Sequence, residues 1–161
     1  MPLFTPTDRE SIKNDIINLL TATPEINAVI LLGSAVTGYT DELSDIDIMS
    51  VVSGEAEIIN VMYVVCENIK ARYNILCFAQ LTERRLQVYL IDNYLELNFS
   101  YRTMETLEAK AAYWQVMFDK TGTVDSIMHA TYEKFDEANR SNTNSSYQIR
   151  NWSTHVTTSL N

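Results

Sequence analysis

A chain of 161 residues that is 46% apolar, with only three prolines and four glycines, has the makings of one folded domain and not of a fibrous or disordered protein. Its formal charge of −9, from 21 Asp and Glu against 12 scattered Lys and Arg, suits a phosphodiester backbone poorly and argues against a nucleic-acid partner. No apolar run approaches the roughly 20 residues of a membrane span; the first ten residues lack the order of a secretion signal; and Cys66 and Cys77 read as reduced core thiols, so a cytoplasmic protein is expected.

Thr7 and Glu10, three apart, make a capping-box pattern that opens a helix. Ile12, Ile16, Leu19 and Leu20 fall on one stripe of it, and Pro24 lies beyond its end. Residues 26–32 are apolar, β-branched and short enough to be a buried strand. GSAVTGY turns out of that strand into a short helix, and residues 45–52 read as a second strand. Residues 55–72 form a long helix with Ile58, Val61, Met62, Val65 and Ile69 inward; residues 74–80 are a third strand. LQVYLIDNYLELNFSYR is a hairpin turning at Asp92 and Asn93. A helix is expected over 104–110, a strand over YWQVMFDKTG closed by a turn at Gly122, and an amphipathic helix over 124–138. Residues 139–148 are polar and read as a loop or linker. The expected division is therefore a domain over 1–138, and over 139–161 a polar linker with the start of a C-terminal helical region. The order of elements predicts an α+β fold (an α/β sandwich), a mixed β-sheet with helices mainly on one face.

Within VILLGSAVTGYTDELSDIDIMSVV, Asp45 and Asp47 stand one residue apart on a strand that otherwise reads as buried. Strand side chains alternate, so both point to one face, about 6–7 Å apart. Two such carboxylates repel each other, and each is costly to desolvate alone. From the pair alone two readings stand: strand-end aspartates in solvent, or a seat for a divalent cation. Mg²⁺ suits the second, because it is held by one or two carboxylates plus water or phosphate oxygens. Upstream, Gly33 lets backbone approach a ligand where a strand meets a helix, Ser34 offers a hydroxyl, and Gly38 permits a second turn. A phosphate cradle thus precedes a dication site by about a dozen residues, the equipment of phosphoryl or nucleotidyl transfer.

LLGSAVTGYTDELSDIDIMSVV resembles the nucleotidyltransferase superfamily of the DNA polymerase beta type. It is most similar to the bacterial branch of aminoglycoside adenylyltransferases and minimal nucleotidyltransferases. The shared pattern is an apolar strand, Gly-Ser, a further Gly, a short loop, then Asp-x-Asp. Thr37 is a departure, since relatives often carry arginine there. The resemblance implies the nucleotidyltransferase fold, with Gly33, Ser34, Gly38 and Ser44 around ATP or another nucleoside triphosphate. It implies Asp45 and Asp47 as catalytic ligands of Mg²⁺, and a third carboxylate on a neighbouring strand. Glu96, flanked by Leu95 and Leu97, is the candidate for that place, as metal ligand or as base; Asp92 is its rival at the hairpin turn. The family usually has Asp there, so Glu is a second departure.

Arg84, Arg85 and Arg102 read as surface residues, Lys120 as a turn residue, and His129 and His155 as isolated. Tyr113 and Trp114 read as core, and Tyr39 lies near the loop. The resemblance implies transfer of a nucleoside monophosphate, AMP from ATP, to a hydroxyl of a small acceptor. The acidic charge points to a cationic aminoglycoside and so to antibiotic resistance. Two other readings stay open: modification of a partner protein by a minimal nucleotidyltransferase antitoxin, and a non-catalytic nucleotide-binding domain. Related enzymes often carry a helical second domain against the acceptor; here it is expected to be missing, cut away, or supplied by a helical partner or homodimer.

Overall fold

Thr5 opens the first helix. Its hydroxyl accepts from the Asp8 amide at 3.1 Å while Asp8 accepts from the Thr5 amide at 2.9 Å, a reciprocal cap. The computed structural model describes residues 3–38, 44–109 and 112–156, of 141–156 the backbone alone. The cap stands two residues before the expected Thr7, because Pro6 takes the first helical position, where its missing N–H costs nothing. Helix α1 (Pro6–Thr21) leads to strand β1 (Ile26–Leu32), the single turn α2 (Ser34–Thr37) and strand β2 (Ile46–Val52). Helix α3 (Ile58–Arg72), preceded by a 3-10 turn at Glu55–Glu57, leads to β3 (Ile75–Leu81). Then come β4 (Leu86–Ile91), β5 (Glu96–Arg102), β6 (Trp114–Asp119) and α4 (Val124–Val156).

Among the described residues, six strands form one mixed sheet in the order β3-β4-β5-β2-β1-β6, in which β2 and β5 pair in parallel and the other neighbours antiparallel. Alternation then sorts the side chains. Ile46, Ile48, Leu97, Phe99 and Tyr101 join the core beneath α1 and α3. Ala28, Ile30, Met49 and Val51 face the other way and meet Val124 and Met128 of α4. The fold is thus α+β as expected, with α1 and α3 on one face and the first turns of α4 partly covering the other.

Three local expectations change. Residues 104–109 do not form a helix: the Thr106 hydroxyl accepts from the Thr103 amide at 2.9 Å and closes a single turn, after which Leu107 and Ala109 run into the second core. Residues 139–148, read as a loop, continue the helical backbone of α4. Cys66 is buried, but Cys77 is exposed, because its side of β3 is opposite Phe78 and lies uncovered. Among the described residues no helix is long and apolar enough to cross a membrane.

Candidate active site

The parallel pairing of β2 with β5 builds the site. Its register sets Ile46 abreast of Leu97 and Asp47 abreast of Asn98. One step earlier Asp45 falls abreast of Glu96. Neighbouring strands lie about 4.8 Å apart and alternate residues of a strand share a face. Asp45, Asp47, Glu96 and Asn98 therefore make a two-by-two block on the face away from α1 and α3. Asp47 is half-buried and Glu96 exposed, so the block opens to solvent at the start of β5.

Asn98 ties the block together. Its side-chain nitrogen donates to Oδ2 of Asp45 at 2.8 Å and to Oε1 of Glu96 at 3.1 Å. Burial, and next the neighbouring Asp45 charge, push the Asp47 carboxyl above its usual range; Asn98 pulls the other way and Glu96 adds to the rise. Sequence reasoning missed Asn98, although its place two residues after Glu96 puts it on the same face by the strand period alone. Asp92 is elsewhere: it accepts from Asn74 at 3.0 Å beside the hairpin turn.

The Gly-Ser turn abuts this block. Leu32 is abreast of Asp47 on one side and of Trp114 on the other, so β1 ends beside the second aspartate. Gly33 holds φ 61° and ψ −135°, a conformation that side chains disfavour, and that turn starts α2. Its amide donates to the Tyr113 carbonyl at 3.0 Å, a bond that anchors the turn. Ser34 heads α2, and Gly38 ends it in the left-handed conformation at φ 91°. The Ser44 carbonyl accepts from Nη1 of Arg9 at 3.2 Å. Arg9 is buried in α1, a second residue that the sequence reading did not single out.

Tyr113 is exposed rather than core, since it follows the chain's turn into β6 and meets no opposing layer. Trp114 is half-buried, and its indole N–H donates to Asp125 at 3.0 Å. His129 sits edge-on to the Trp114 ring and 3.5 Å from Asp125. Arg85 pairs with Glu55, and the Lys120 ammonium donates to the Pro24 carbonyl at 2.7 Å. Tyr39 lies outside the described residues, as does the side chain of His155.

Carboxylate oxygens on one face, two of them in mutual repulsion, are the donor type that a hard divalent cation takes. Among the described residues, no three Asp, Glu, His or Cys side chains are gathered closely enough to form a metal-holding group. The Asn98 amide occupies the middle of the block instead.

The family model described as "Polymerase beta, Nucleotidyltransferase" matches residues 14–102, from α1 to the end of β5. No curated protein matches the chain. Among 17 similar solved chains is Cid1, described as having RNA terminal uridylyl transferase activity, at 12% identity and a TM-score of 0.49. The similarity covers 63% of this chain and 32% of that one, so this chain spans about a third of that enzyme's length. The matched family segment takes in more than half of the 161 residues, the Gly-Ser turn, both aspartates and the strand of Glu96, and the chain belongs to the polymerase beta nucleotidyltransferase family.

Proposed function

We propose that the chain is a Mg²⁺-dependent nucleotidyltransferase that moves AMP from ATP to a hydroxyl of a small cationic acceptor of the aminoglycoside type. The observation that carries the reading is that Asp45 and Asp47 lie on one face beside the Gly33–Ser34 turn, with Glu96 abreast of Asp45. Asp45, Asp47 and Glu96 are the groups that would hold Mg²⁺, which when bound neutralises triphosphate charge and stabilises the leaving pyrophosphate. Ser34 with the Gly33 backbone would hold the β and γ phosphates, and Gly38 and Ser44 would bound the nucleotide loop.

In the transfer, the acceptor oxygen forms a bond to the α-phosphorus as the bond to the β-phosphate oxygen breaks, and pyrophosphate leaves. Glu96, the exposed carboxylate at the open edge, serves either as the third metal ligand or as the base that takes the acceptor's proton. A net charge of −9 favours a cationic acceptor and disfavours one with a phosphate backbone.

Calorimetric titration of Mg²⁺ and ATP into the wild type, Asp45→Asn and Asp47→Asn tests the site. The expected result is binding by the wild type and loss in both variants; unchanged affinity in both ends the reading. Mass spectrometry of reactions with ATP, Mg²⁺ and a panel of acceptors tests the substrate. An adenylylated aminoglycoside supports it, whereas an adenylylated partner protein transfers the reading to the antitoxin-like class.

A further inference from the structure

We infer that Asn98 is the positioning residue of the carboxylate block, a neutral amide that holds Asp45 and Glu96 in the arrangement from which they take up the metal. The inference rests on the proposed metal-dependent reading. It comes from three observations. Asn98 is abreast of Asp47 in the parallel β2–β5 register. Its Nδ2 lies 2.8 Å from Asp45 and 3.1 Å from Glu96. An Asn amide has two N–H donors, so one side chain can serve both carboxylates.

The charge of the block explains why an amide is needed. Three carboxylates on adjacent strands repel one another, and the free rotamers of Asp45 and Glu96 would splay outward to solvent. A donor between them lowers that repulsion without adding charge, and bonds to ionised acceptors are the stronger kind. Asp45 meets the amide through Oδ2 and Glu96 through Oε1, one oxygen of each. A Lys or Arg in the same place would satisfy the carboxylates too, but its positive charge would compete with the metal. An Asp would donate nothing and would add to the repulsion. Asn is the small residue that orients the block and leaves its negative charge for the cation. Groups that orient metal ligands in this way commonly govern affinity by roughly 10- to 100-fold.

The test measures Mn²⁺ binding to the whole chain without nucleotide, by calorimetry and by electron paramagnetic resonance. Asn98→Ala and Asn98→Leu are expected to weaken binding by roughly 10- to 100-fold, and Asn98→Gln, which keeps the amide, to recover part of it. A purely structural role would lower the metal-free thermal midpoint yet leave the affinity of the folded protein unchanged, and that outcome overturns the inference alone. A wild type that binds no Mn²⁺ overturns both the inference and the reading beneath it. Should the substitutions prevent folding, the wild-type side-chain amide of Asn98 is followed by ¹⁵N NMR in metal-free protein. Asp45→Asn is expected to shift one of its two protons and Glu96→Gln the other; a resonance indifferent to both changes overturns the inference.

Discussion

A Cβ added to Gly33 would lie 3.7 Å from Oδ2 of Asp47, so the Gly-Ser turn and the second aspartate form one wall of the site. Space alone would admit a methyl there. The backbone would not, because φ 61° with ψ −135° is a conformation for glycine. Gly33→Ala is expected to cost about 1–3 kcal/mol, seen as a fall in the thermal midpoint of roughly 2–4 °C per kcal/mol. It should also weaken Mg²⁺–ATP binding by moving Ser34 away from Asp47. An unchanged midpoint in thermal unfolding would count against this account of the turn.

Asp47 is expected to oppose stability in the metal-free protein. It is half-buried and beside Asp45, and both facts disfavour its charged form. Asp47→Asn keeps the shape and removes the charge, so its thermal midpoint without metal at neutral pH should rise while nucleotide binding is lost. Gain of stability with loss of function is the mark of a strained site. Differential scanning calorimetry in chelator decides it, and a lower midpoint for the variant would contradict the assignment.

Asp15 should make stability depend on acid. It accepts from the Tyr73 hydroxyl at 2.6 Å and from Arg72 at 2.7 Å, joining α1 to the end of α3. The Tyr73 bond is the largest cause, and with Arg72 it outweighs burial and holds the carboxyl below its usual 3.8. Near that value the unfolded chain therefore binds more protons than the folded one. The stabilisation is complete above the unfolded value and disappears as pH falls through the folded one. Asp15→Asn is expected to lower stability at pH 7 by about 1 kcal/mol, a modest figure because the pair is solvent-facing. The gap from wild type should close below about pH 4, as read from urea unfolding across pH.

Arg9 is expected to matter for both folding and nucleotide binding. It is 4% exposed and reaches from α1 to the carbonyl of Ser44, the residue before Asp45. Arg9→Met keeps much of the apolar stem and removes the donors, which should cost about 1–3 kcal/mol. Loosening of Ser44 should weaken ATP binding in the same variant. Stability lost with affinity intact would restrict Arg9 to a structural part.

Much of this protein could be read from within single segments. The 3.6-residue stripe of α3 placed Ile58, Val61, Met62, Val65 and Ile69 inward, and all are buried. The hairpin turn between β4 and β5 and the short helix after Gly33 were legible from turn residues and glycine. The facing of Asp45 and Asp47 to one side was fixed by the two-residue period of a strand. The first cap was misplaced because two overlapping patterns, at Thr5 and at Thr7, stand side by side, and Pro6 decided between them.

Sequence by itself determined the elements, the Gly-Ser turn and the paired aspartates, since each depends on residues a few positions apart. Only the tertiary structure decided that β5 lies parallel to β2 in the register that brings Asn98 beside Asp47. It alone decided that the Gly33 amide is spent on Tyr113, and that Cys77 faces outward. These are pairings between distant segments, set by how two apolar faces pack on one sheet, and no local period records which strand will be the neighbour.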